Sequence, residues 1–73
     1  MKLKIISKDL KPFKGKEDGE LRDYYWYKAE NQKTELVIRF GTSNGSYEEG
    51  ETYDIQIEQR EQRNGEMGNY ESR

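Results

Sequence analysis

The chain has no cysteine and no histidine. Without cysteine there are no disulfides and no thiolate chemistry. Without histidine as well, no cluster has the residue types or spacing of a metal site, and no metal or cofactor is expected. Catalysis would fall to carboxylates, lysine, tyrosine and hydroxyls, which need a pocket able to shift their pKa. A chain of 73 residues has little room to build one, so a non-enzymatic role is expected. The glycine-bearing segments GKEDGE and GTSNGS lack the Lys-Ser/Thr ending of a phosphate-cradling loop.

Long apolar runs are also missing. The N-terminal MKLKIISK is too short for a signal peptide or a membrane span, so a cytoplasmic setting without a membrane partner is expected. No stretch repeats apolar residues at helical spacing over ten or more positions, and no internal repeat is present. Only 30% of the residues are hydrophobic while 38% are charged. A domain of this size buries about 60% of the surface its unfolded chain exposes, so its core must be thin and largely aromatic. Dimerisation would be a natural way to cover further apolar surface.

Net charge is −2, which argues against a generic nucleic-acid binder, but its distribution is uneven. Residues 1–16 carry six lysines against Asp9, a net +5, and the remainder is −7. Such asymmetry points to an interaction surface. Lysines on a first strand would equally keep an edge from pairing with other chains.

What the chain does contain is concentrated in Leu21 to Phe40, LRDYYWYKAENQKTELVIRF, with most of the aromatic residues. Leu36, Ile38 and Phe40 alternate with polar residues, the period of a half-buried strand. Tyr24, Tyr25, Trp26 and Tyr27 are strong strand formers, and Asn31-Gln32-Lys33-Thr34 supplies a turn. Short even-length loops are the commonest hairpin connections. An even loop puts Tyr25, Tyr27, Ala29, Leu36, Ile38 and Phe40 on the core face. Tyr24, Trp26, Lys28, Val37 and Arg39 then share the outer face. An odd loop would invert one strand and send Trp26 into the core.

In chain order, Met1 to Ser7 reads as a strand with Leu3 and Ile5 inward, and Ile6 breaks its alternation. KDLKPFKGKEDGE follows as a loop of about a dozen residues, with Leu10 and Phe13 expected to tack it to the core. After the hairpin, GTSNGSYEEG is a second connection built on Asn44-Gly45. ETYDIQIEQ is a strand with Tyr53, Ile55 and Ile57 on one face. Residues 62–73 form a polar C-terminal segment, either a final short strand through Asn64-Gly65 or a flexible tail. Residues 1–61 are thus expected to form one all-β domain, a small OB-like or SH3-like antiparallel barrel or meander of four to five strands.

Sequence-tolerant binding of single strands combines rings that stack on bases with cations that follow the backbone. Tyr24, Trp26, Lys28 and Arg39 on one sheet face, beside the loop lysines Lys11, Lys14 and Lys16, fit that description. Phe13 and Tyr47 could extend it. The competing assignment is structural, because in a chain poor in aliphatics a lone Trp is well used in the core.

The short basic strand MKLKI, the glycine-bearing basic loop, the aromatic strand DYYWYKA and the segment EGETYDIQIEQREQRNG give the chain a recognisable layout. It resembles the small single-stranded DNA-binding proteins of phages and mobile elements. The resemblance implies an OB-like five-stranded barrel that dimerises. It further implies stacking by Tyr24, Trp26 and Tyr47, with Lys11, Lys14, Lys16, Lys28 and Arg39 on the phosphates of single-stranded DNA or RNA. The acidic balance of residues 17–73 departs from the basic binding face usual in that family. The rival expectation is a protein-interaction module, a phage-type inhibitor or accessory factor, that presents Glu48, Glu49, Glu51, Asp54 and Glu58 to a basic protein partner.

Overall fold

In a computed structural model the chain is all-β; residues 1–15, 18–62 and 64–72 are described. Its strands are β1 (Lys2–Leu10), β2 (Phe13–Lys14), β3 (Leu21–Arg22), β4 (Tyr25–Asn31), β5 (Val37–Thr42), β6 (Thr52–Asp54), β7 (Ile57–Glu61) and β8 (Met67–Glu71). Six of them form one sheet in the order β6-β1-β4-β5-β8-β7, and β2 pairs with β3 as a separate two-stranded ribbon. All pairings are antiparallel except β5 with β8, which meet in parallel at Gly41 and Tyr70. Among the described residues no helix is long and apolar enough to cross a membrane.

The two edge strands are consecutive in the chain, parted only by Ile55 and Gln56. One stretch therefore serves both edges, pairing with β1 through β6 and with β8 through β7. The backbone N–H of Ile55 donates to Met1 O at 2.8 Å, and that of Ser72 to Gln56 O at 2.8 Å. The sheet is thus rolled on itself, with the ladder interrupted at the point where the stretch changes partner. ETYDIQIEQ is correspondingly two strands rather than the single one expected.

The inward face follows the alternation of the sequence. Leu3, Ile5, Tyr27, Ala29, Phe40 and Ile55 are buried, with Tyr25, Ile38, Tyr47, Tyr53 and Ile57 packed against them. Five of these eleven residues carry rings: Tyr27 stacks on Phe40 at 5.4 Å and 24°, and Tyr47 meets Tyr27 edge-on at 5.3 Å and 74°. Aromatic pairs in such arrangements contribute beyond the area they bury. The Tyr27 hydroxyl donates to Asn44 O at 2.8 Å, so its polar end is satisfied inside.

Register in the β4–β5 hairpin pairs Tyr27 with Phe40 and Ala29 with Ile38, the even-loop parity. The Asn31 side chain organises the turn, its Oδ1 accepting from the N–H groups of Lys33 (2.9 Å) and Thr34 (3.3 Å). Glu35 then adopts φ 63°, and Leu36 is not in the core as expected but 66% exposed. β8 meets β5 at the other end, at Gly41, and among the described residues Leu36 is left uncovered. In β1, Ile6 is the extra residue of a β-bulge between Ile5 and Ser7. It shifts the parity, so that Lys8 lies over the Tyr25 ring at 5.1 Å and donates to Gly45 O.

Two further expectations change. The early loop is shorter than expected, because β1 continues to Leu10 and the β2–β3 ribbon fills part of the rest. Leu10 and Phe13 are 53% and 45% exposed and do not tack it to the core, since β1 has by then run past the covered part of the roll. The C-terminal segment forms β8, reached by a turn in which Gly65 takes φ 83°. Glu71 fastens it, accepting from Thr42 Oγ1 at 2.7 Å and from the Tyr47 hydroxyl.

Candidate nucleic-acid interface

Parity alone puts Tyr24, Trp26 and Lys28 on the outer face of the sheet. Gly41 stands opposite Trp26, and Arg39 opposite Lys28. A side chain at Gly41 would collide with this face: its Cβ would lie 2.8 Å from Tyr24 Cε2 and 3.0 Å from Trp26 Cη2. The missing side chain lets both rings lie across β5, and there Trp26 reaches Tyr70 on β8.

The result is a row of four rings. Phe13 meets Tyr24 at 5.7 Å and 88°, Tyr24 meets Trp26 at 6.0 Å and 68°, and Trp26 meets Tyr70 at 5.5 Å and 59°. With Lys11 and Pro12 they line a shallow groove of about 410 Å³. A neighbouring groove of about 370 Å³ shares Lys11 and Trp26 and adds Arg39, Gln62, Met67 and Asn69. The β1–β2 connection is held to the row by the Lys11 N–H, which donates to Tyr24 O at 2.7 Å.

Cations border the rings. The Arg39 guanidinium carbon lies over the Trp26 ring, 5.0 Å from its centroid, and that of Arg60 over Tyr70 at 4.5 Å. Arg60 is also paired with Glu58, Nε to Oε1 at 3.1 Å. Among the described residues Lys11, Lys28 and Arg39 have no ion pair. Lys28 and Arg39 face each other directly across β4 and β5, and like charges in that relation destabilise a sheet. Asp9, opposite Trp26 on β1, and Glu30, two residues beyond Lys28 on β4, are acids on the same face.

Of the residues singled out from sequence, the structure brings together Lys11, Phe13, Tyr24, Trp26, Lys28 and Arg39. Lys14 is exposed on β2, next to Phe13, and Lys16 lies outside the described residues. Tyr47 is elsewhere: it packs inside on Tyr27, Phe40 and Tyr53, with its hydroxyl on Glu71. Burial and the Glu71 carboxylate both push its phenol well above the ordinary value of 10.0, and burial raises Tyr27 as well. Sequence reasoning missed Tyr70 and Arg60 because the end of the chain is so polar. The Asn64-Gly65 turn followed by Met67 and Tyr70 was the available signal.

The acidic surface is less uniform than its composition suggests. Glu48, Glu49 and Glu51 are exposed, but Asp54 accepts from the N-terminal ammonium at 2.8 Å, which holds its carboxyl below the usual range. Glu58 is the partner of Arg60. No protein-family model, curated protein or solved structure matches this chain, and the reading of the interface therefore rests on its geometry.

Proposed function

We propose that this domain binds single-stranded nucleic acid, chiefly DNA, with little sequence preference, through the outer face of β4, β5 and β8. The observation that carries the reading is the row of four rings at steps of 5.5–6.0 Å, bordered by cations of which Arg60 alone is paired with an acid among the described residues. Each base stacked on an aromatic side chain contributes about 1–3 kcal/mol, whatever its identity. The opposed Lys28 and Arg39 cost the free sheet stability, and a phosphate between or beside them would relieve that repulsion.

The strand order supports an OB-like reading of the fold. Taking 52–61 as one stretch gives five long strands, the fourth flanking both the first and the fifth. OB barrels present the face of their second and third strands to oligonucleotides, and β4 and β5 occupy that place here. In this reading the protein is a non-enzymatic, phage-like cytoplasmic binder, and a dimer would extend the row of rings.

The direct test is anisotropy of a labelled oligo(dT) with the double variant Trp26→Ala, Arg39→Ala. Affinity should fall more than tenfold while the far-UV spectrum is unchanged. Wild-type protein that ignores the oligonucleotide and instead retains a basic protein partner would move the function to the exposed Glu48, Glu49 and Glu51.

A further inference from the structure

Arg39 and Arg60 both cover a ring of the row, but they are held differently. Arg60 is anchored by Glu58 at 3.1 Å and donates to Glu71 O at 3.5 Å. Arg39 has neither an ion pair nor a side-chain hydrogen bond among the described residues. It lies over Trp26 at 5.0 Å, and its cross-strand neighbour Lys28 repels it. Trp26 is flanked by Gly41, Tyr24 and Tyr70 and lines both grooves, while Arg39 lines the second of them. In that second groove the guanidinium covers the ring surface on which a base would stack.

Resting on the proposed binding of single strands, we infer that Arg39 is a specificity-determining placeholder on Trp26. It leaves the indole when a base arrives and is re-engaged by the phosphate that the base brings. A ligand with a charged backbone replaces the lost cation–π contact with a charge-assisted hydrogen bond. An uncharged aromatic ligand displaces the same guanidinium and offers nothing in return. The site thereby selects nucleotides in a chain over flat aromatic groups in general, a choice that the four rings alone could not make.

This assigns Arg39 effects of opposite sign on two ligands with the same bases. The probes are oligo(dT) and a thymine peptide nucleic acid of equal length, whose backbone is uncharged, titrated into the full chain at low salt. Arg39→Ala should bind oligo(dT) several-fold more weakly than wild type. It should bind the uncharged oligomer about two- to fivefold more tightly, the range expected for losing an exposed cation–π contact. Arg39→Lys, which keeps the charge but covers the ring less well, should fall between the two on both ligands.

A wild-type protein that binds oligo(dT), with Arg39→Ala weakening both ligands, would overturn the inference and make Arg39 a direct partner of the base. Failure of Arg39→Ala to bind the uncharged oligomer would overturn it too, because an uncovered indole must accept a base. Wild-type protein indifferent to oligo(dT) would instead remove the proposed function, and the placeholder with it.

Discussion

At the scale of single residues, Gly41 shapes the outer face through the side chain it lacks. A methyl group there meets two ring atoms at 2.8 and 3.0 Å, closer than carbon atoms pack. Gly41→Ala should leave the sheet folded but tilt Tyr24 and Trp26 off their places, lowering oligonucleotide affinity at least threefold. Near-UV circular dichroism would show the displaced rings, and unchanged affinity would mean that the row tolerates rearrangement. Phe40, fully buried at the other side of the same strand, has the opposite character. Phe40→Ala should cost about 3–5 kcal/mol, much of the stability of a domain this small, readable in a urea melt.

Tyr27 and Tyr47 give the fold a dependence on high pH. Both phenols are raised above the ordinary 10.0, so the folded state holds protons that the unfolded state releases. Their contribution is fully present below about pH 10 and is lost as pH rises through the folded values. Stability should therefore decline from about pH 10 upward, and Tyr47→Phe should flatten part of that decline. Asp54 works in the other direction: its lowered carboxyl stabilises above its ordinary 3.8, and the effect disappears as pH falls through the folded value. An alkaline melt that is identical in Tyr47→Phe would contradict the assignment of Tyr47.

At the scale of elements, the hairpin was the most legible part of the sequence, for a physical reason. Alternation fixes which residues share a face, and an even turn fixes how the two strands share it, so Tyr27 with Phe40 and Trp26 with Arg39 both followed. The bulge was visible as Ile6 breaking the alternation, though not its consequence for Lys8. Leu36 was misread because alternation says nothing of whether another strand covers a position. Tyr47 was misread because loop residues carry no periodicity, and its inward packing depends on Glu71, 24 residues away. Tyr70 was hidden in a segment with too little apolar surface to declare itself.

That last segment is nonetheless structural. β8 pairs with β5 and β7, supplies Tyr70 to the row, and carries the carboxylate that accepts from Thr42 and Tyr47. Deleting residues 67–73 should abolish the cooperative thermal transition, not merely trim a tail. A truncated chain that melts like the parent would show β8 to be dispensable.

At the scale of the whole molecule, a rolled sheet separates two aromatic layers in a chain with few aliphatic residues. One layer is closed inside around Tyr27 and Phe40. The other is half-buried outside around Trp26, where the net −2 gives no help in attracting a polyanion. On the proposed reading, binding rests on local cations, among them Lys11, Lys28 and Arg39, which have no ion pair among the described residues. Three phosphate contacts give a salt dependence of about −2 in log K against log salt for single strands. A much steeper slope would require cations beyond this face, and a flat one would remove phosphate from the account.

The most direct measurement is the emission of Trp26, the only tryptophan, in the free protein and during titration with a short oligo(dT) at low salt. The account predicts the emission of a partly wet indole, quenched progressively by the oligonucleotide and recovered as salt is raised. Blue-shifted emission indifferent to DNA would contradict it, returning Trp26 to a packing role and the outer face to another partner.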